Sequence, residues 1–223
     1  MVTCSMLLLT LTIVINQDSI YAKNHDDEDE EDEDERGSDD ERDSDFEDQD
    51  YIQVCCTWGP ELADGILTYT IEGDVDDNTV DAVTEATEEW NAKLGGIKFI
   101  KTNSDDADIE INFKNDGKKI AGKTVNYFDG YGHIRKSIIT ISEEYYNVDF
   151  TTAQIEQVSK HELGHTLGLG HANFNGNLMT EKVNTGSGTI SSCEIEAVKT
   201  ANAWKLKEDG NSIRSPQEKY VRC

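Results

Sequence analysis

Basic residues are scarce in this chain. Its 223 residues include 20 Lys and Arg against 46 Asp and Glu, for a net charge of −26. That balance excludes nucleic acid as a partner, because binding phosphates needs clustered cations. Long apolar runs are also lacking. Met6–Ile15 (MLLLTLTIVI) falls well short of the roughly 20 residues that span a bilayer, and no later segment comes closer. Its length suits the apolar region of a secretory signal, and Ile20-Tyr21-Ala22 offers a small residue for cleavage before Lys23. Met1–Ser5 has no Lys or Arg, which is atypical of such a signal. A short buried element of the domain and an uncleaved anchor are the competing readings. The signal reading makes residues 1–22 a removable leader of a secreted protein with no membrane attachment afterwards.

The charge is unevenly spread. Residues 24–50 hold 18 acids and two bases (Arg36 and Arg42), so −16, while residues 51–223 carry −10. The acidic tract, residues 23–50, has one large apolar residue, Phe46, and too little apolar surface to offset the entropy of ordering. It is expected to be disordered. A solubilising spacer, weak capture of Ca²⁺ or a mineral surface, and a short pro-segment shielding a cationic site are three readings of it. No carboxylate spacing supports specific Ca²⁺ ligation.

Cysteines are few. If Cys4 leaves with the signal, four remain: Cys55, Cys56, Cys193 and Cys223. An even number in an exported chain implies two disulfides, with three pairings to choose from. A bond between adjacent Cys55 and Cys56 is disfavoured as strained, so each is expected to pair with Cys193 or Cys223, tying the two ends of the domain together.

Between these cysteines lies an α+β pattern over residues 51–207, with 208–223 as a polar surface tail. Ile66–Glu72 reads as a strand, rich in β-branched and aromatic residues. Asp76–Leu94 reads as a helix, with Val80, Val83, Ala86, Trp90 and Leu94 at three- and four-residue steps and Gly95-Gly96 as its stop. Ile97–Thr102, Ala107–Phe113, Thr124–Phe128 and Ser137–Ser142 are further strands, with a turn at Asp129–Gly132. Thr151–Gly168 and Ser191–Trp204 are helices, the latter opening on a capping box at Ser191 and Glu194. The order predicts a sheet backed by two helices.

The chemistry lies in His161-Glu162-Leu163-Gly164-His165-Thr166-Leu167-Gly168-Leu169-Gly170-His171. Residues four apart on a helix share a face, so His161 and His165 can grip one ion. Glu162 can reach past the metal to a bound water and act as general base without ligating. Continued helix would carry His171 about 15 Å from His161, so the chain must break and turn back. Gly168 supplies the break, because glycine accepts the left-handed conformation that ends helices. Three neutral imidazoles leave a fourth position open, the arrangement of a catalytic rather than a structural Zn²⁺ site. Five fixed identities at this spacing arise by chance on the order of once per 10⁵ chains.

This motif resembles that of the metzincins, and within them the matrixin-like group. The likeness extends to Leu67–Ile71, Trp90, Ile97–Phe99 and Ala107–Ile111, and covers roughly residues 57–207. It implies a mixed twisted sheet backed by two helices, an active-site helix, a C-terminal helix and a Met-turn at Met179. It further implies a zinc endopeptidase whose peptide substrate lies extended along an edge strand near Thr124–Phe128, with the loop Glu181–Gly188 shaping the pocket. Departures are equally informative. The cysteine-switch motif of matrixin latency is missing, and Cys55 or Cys56 as a zinc ligand is the weaker alternative to a disulfide. Glu181 stands where a related group has an extra tyrosine ligand. Phe128-Asp129-Gly130 is similar to the matrixin loop for structural zinc and calcium, but His133 stands alone there, so Ca²⁺ is unsupported. The rival reading is a secreted acidic protein that binds cations or surfaces and keeps a vestigial site.

Overall fold

A computed structural model describes residues 49–114, 120–145, 148–182, 186, 188–207 and 212–223. The signal segment, Cys4, nearly all of the acidic tract and residues 183–185 and 187 of the loop after Met179 lie outside the described residues. The folded body opens with strand β1 (Tyr51–Val54), followed by β2 (Ile66–Glu72), helix α1 (Asp77–Lys93), β3 (Lys98–Lys101), β4 (Ile109–Phe113), β5 (Gly122–Phe128) and β6 (Ile134–Ile141). A two-residue pair, β7 (Glu144–Tyr145) and β8 (Val148–Asp149), leads to α2 (Thr152–Thr166) and β9 (Leu169–Ala172). Two helices, α3 (Ser192–Ala201) and α4 (Ala203–Leu206), and strand β10 (Tyr220–Arg222) complete it.

The main sheet has the order β3-β2-β4-β6-β5. The pairs β2–β3, β2–β4 and β4–β6 are parallel, and β5 runs antiparallel to β6 at the edge. Along β6, Ser137, Ile139 and Ile141 are buried at the period of two expected of a strand with one face on a core, and Ile134, also buried, lies out of that phase beyond a register shift against β5. Helix α1 begins where Asp76 accepts a hydrogen bond from the Thr79 N–H, and it buries Val83, Ala86 and Trp90. The Trp90 indole N–H donates to the Lys160 carbonyl at 3.0 Å, joining α1 to α2. Helix α2 starts on a capping box between Thr151 and Gln154 and is buried from Val158 to Thr166. The α+β architecture expected from the pattern is therefore present. Among the described residues no helix is long and apolar enough to cross a membrane.

Three expectations need correction. The first concerns the disulfides, which join Cys55 to Cys56 and Cys193 to Cys223. Strand register explains why the expected crosswise pairs do not form. Strand β1 runs antiparallel to β10 with Tyr51 opposite Arg222, and the Cys223 N–H donates to the Asp50 carbonyl at 2.8 Å. Cys55 is thus about 16 Å further along the strand than Cys223, at roughly 3.3 Å per residue, far beyond disulfide reach. Cys193, at the start of α3, lies 5.3 Å from Cys223 between Cα atoms.

The second is the end of the chain. Residues expected to trail over the surface form β10 instead, in a second sheet of order β10-β1-β9. The third is the last helix, which breaks at Asn202. That side chain is fully buried and is engaged elsewhere. Its Oδ1 accepts from Thr57 Oγ1 at 3.1 Å and from the Trp58 N–H at 3.3 Å, and its Nδ2 donates to the Leu167 carbonyl at 2.9 Å.

Candidate metal centre

Helix α2 presents His161 and His165 one turn apart, as their spacing predicts. The chain then reverses at Gly168, whose φ is +90°. A side chain there would meet a second obstacle, since a Cβ would lie 2.2 Å from the Cys56 carbonyl oxygen. Strand β9, held antiparallel to β1, carries His171 back to the other two. One ligand atom from each of His161, His165 and His171 falls within 4.8 Å of the others.

Second contacts fix the rings. His161 Nδ1 lies 2.8 Å from the Leu178 carbonyl oxygen, and His165 Nδ1 lies 2.8 Å from that of Leu169. A carbonyl only accepts, so each Nδ1 carries the proton and each Nε2 presents a lone pair. Those two Nε2 atoms face each other at 3.1 Å. Two inward lone pairs need a shared cation, so the donor set fits a metal ion, and borderline nitrogen ligands suit Zn²⁺. Burial keeps the imidazoles neutral and able to ligate. It pushes His161 below its ordinary value against the Leu178 contact, and His165 well below. His171 falls to about 4 through burial and the neighbouring His161.

Glu162 is buried beside them. Its Oε2 accepts from the Thr124 hydroxyl on β5 at 2.6 Å. Burial pushes its carboxyl up to about 7, with the Thr124 hydrogen bond working in the opposite direction. Gly122, two residues earlier on β5, leaves room for the carboxylate.

Met179 is fully buried under the helix. A Cβ on Gly164 would lie 2.5 Å from its sulfur, so the bare glycine lets the thioether pack against α2 between the two histidines. The Met179 carbonyl accepts from the Ala172 N–H at 2.8 Å, coupling this turn to β9. Two further residues support the centre that the sequence did not single out for it. The capping box of α3 accounts for only one oxygen of Glu194. Its Oε2 does accept from the Ser191 N–H at 2.7 Å, but its Oε1 accepts from the Leu178 N–H at 3.1 Å, under the contact to His161. Asn126 on β5 donates to the His165 carbonyl at 3.1 Å and accepts from Ser137 Oγ at 2.6 Å. No spacing signals either contact. His133 is turned to Asp129, 3.4 Å away, and takes no part in the triad.

A family model described as matrixin matches residues 58–200 of the chain. No curated protein matches it. Among solved structures, that of myroilysin is similar at 16% identity and a TM-score of 0.36, over 52% of this chain and 44% of that one. The chain thus spans less than half the length of that protein.

Proposed function

This chain belongs to the matrixins, a family of zinc metallopeptidases, and from that premise we propose that it is a secreted zinc endopeptidase with Glu162 as general base. In this reading His161 and His165, each through Nε2, would hold Zn²⁺ together with His171. The observation that carries it is the pair of Nε2 lone pairs facing each other at 3.1 Å, each ring locked by a carbonyl at its far side. When bound, Zn²⁺ supplies Lewis acidity, which polarises a peptide carbonyl and acidifies water.

The chain's own residues do the rest. Glu162, with a carboxyl near neutrality, takes the proton of the attacking water and passes it to the leaving amine. Among the described residues strand β5 is the last strand of the main sheet on its side, and its outer side would offer backbone groups to an extended peptide. Binding there places the scissile bond beside Glu162, which already touches Thr124 of that strand. Two disulfides support an oxidising destination and hence secretion.

The experiment is Glu162→Gln. Zinc content stays at the wild-type level while hydrolysis of a quenched peptide falls by about 10²- to 10⁴-fold. Wild-type hydrolysis that survives a chelator sinks the zinc-peptidase reading. Full activity in the variant sinks the assignment of the base.

A further inference from the structure

We propose that Thr124 is a positioning residue for Glu162, holding one carboxylate oxygen so that the other alone is presented for proton transfer; this rests on the peptidase reading above. The two oxygens have unlike surroundings. Oε2 accepts the Thr124 hydroxyl at 2.6 Å, and the same hydroxyl lies 3.2 Å from the Glu162 carbonyl oxygen. Oε1 has no hydrogen-bond partner among the described residues. It lies in the space left by Gly122, where a Cβ would sit 2.4 Å from Oε1 and 2.8 Å from Cδ and Cγ. Gly122 and Thr124 are two apart on one strand and so face the same way. Together they form a cradle, with a donor on one side and a missing methyl on the other.

The physical argument is one of freedom. A glutamate has three side-chain torsions, and a free carboxylate would exchange its two oxygens between positions. Proton transfer needs the acceptor within hydrogen-bond reach of the water. A short charge-assisted bond to Oε2 removes that exchange and fixes the direction of the Oε1 lone pairs. Thr124 also belongs to the edge strand along which the substrate is proposed to lie. Substrate position and base position are thereby set by the same few residues of backbone.

The test uses the full chain and three variants: Thr124→Val, which keeps shape but removes the donor; Thr124→Ser, which keeps the donor; and Gly122→Ala, which fills the cradle. In Thr124→Val, kcat is expected to fall by about ten- to a hundredfold, the usual effect of losing a hydrogen bond to a charged group. KM is expected to stay within about twofold, and zinc affinity by chelator competition to stay at the wild-type value. Thr124→Ser restores kcat. Gly122→Ala lowers kcat with zinc affinity again unchanged. Wild-type kcat in Thr124→Val overturns the proposal, as does a Thr124→Ser variant no better than Thr124→Val. Loss of zinc in Thr124→Val also overturns it, because Thr124 would then be holding the metal site. If the zinc-loaded wild type is itself inert, the peptidase reading falls by itself. Crystal structures then decide the Thr124 contact: a displaced Glu162 carboxylate in Thr124→Val supports it, and an unmoved one removes it.

Discussion

The Nδ1 atom of His161 lies 2.8 Å from the carbonyl oxygen of Leu178, the residue just before Met179. Leu178 is bonded at both ends, because its N–H donates to the buried Glu194 carboxylate. The first turn of α3 therefore reaches the metal centre through a single residue. In Glu194→Ala, the Leu178 and Ser191 N–H groups lose their acceptor. The buried Leu178 donor, left unsatisfied, costs about 1–3 kcal/mol, and loss of the capping bond to the exposed Ser191 adds about 1 kcal/mol. Stability in chemical denaturation is expected to fall by about 2–4 kcal/mol, and zinc affinity by roughly tenfold or more, as for other residues behind a ligand. A variant with unchanged zinc affinity would show that Leu178 holds its place without Glu194.

Gly168 and Gly176 separate two costs that glycine avoids. Both have positive φ, +90° and +82°. At Gly176 a Cβ would meet nothing within 4 Å, whereas at Gly168 it would press on the Cys56 backbone. Gly176→Ala should cost only the conformational term, about 1–2 kcal/mol. Gly168→Ala adds a clash with main chain that cannot swing aside, and it displaces β9 together with His171. Its thermal midpoint should fall well below that of Gly176→Ala, with zinc affinity reduced. Equal midpoints would mean that β1 and the turn before β9 separate easily.

Lys160 is buried between two carboxylates, with Nζ 2.9 Å from both Glu89 and Glu156. Burial pushes the lysine down, but the bonds and charges of Glu89 and Glu156 outweigh it and leave the group above its ordinary 10.5. Burial likewise pushes Glu89 up, and the Lys160 and Ile190 N–H contacts bring it below 4.5. The depressed carboxyl stabilises the fold above its unfolded value and loses that contribution as pH falls through its folded value. The raised lysine stabilises the fold below 10.5 and loses its part as pH rises through its own folded value. Lys160→Met should therefore cost most near neutral pH, about 1–3 kcal/mol once partial exposure of the acids is allowed for. The gap to wild type should shrink as pH drops below 4.5. A gap that is flat across that range in urea unfolding would make the loss one of packing rather than charge.

Periodicity in the sequence is enough to locate β2, β4, β6, α1 and α2, because each pairs an apolar face with a core. The triad is legible for the same reason: His161 and His165 lie on a continuous helix, and Gly168 marks its end. The second sheet is not legible. Strand β9 is only Leu169–Ala172, contains a glycine and carries His171, so its pattern is that of the candidate site. Strand β10 exists through a partner some 170 residues away, and no local signal encodes that pairing. The disulfides follow the same logic: local strain argues against the Cys55–Cys56 pair, and only the register of β1 against β10, which the sequence does not display, puts Cys55 out of reach of Cys223. Glu194 was hidden because a capping box already accounts for it. The meeting of Thr124 with Glu162 depends on how the sheet edge lies across α2, which neither segment specifies alone.

The Cys193–Cys223 bond joins the start of α3 to the end of β10, closing a loop of 30 residues. Strand β10 pairs with β1, and β1 pairs with β9, which carries His171. This covalent tie is thus two strands away from His171, the third of the proposed ligands. Closing a loop of that size stabilises by about 2–4 kcal/mol through the unfolded chain. Replacing both cysteines by serine should lower stability by that amount. The last strand should also fray first, since it is three residues long with only Val221 buried. Hydrogen exchange should then rise along β10 and the facing side of β1 before it rises in the main sheet. Zinc should follow, released at a lower denaturant concentration than in wild type, because β9 has lost the support behind β1. If exchange in β9 and zinc release both match wild type while stability drops, the bond stabilises the chain as a whole and the second sheet does not transmit its effect to His171.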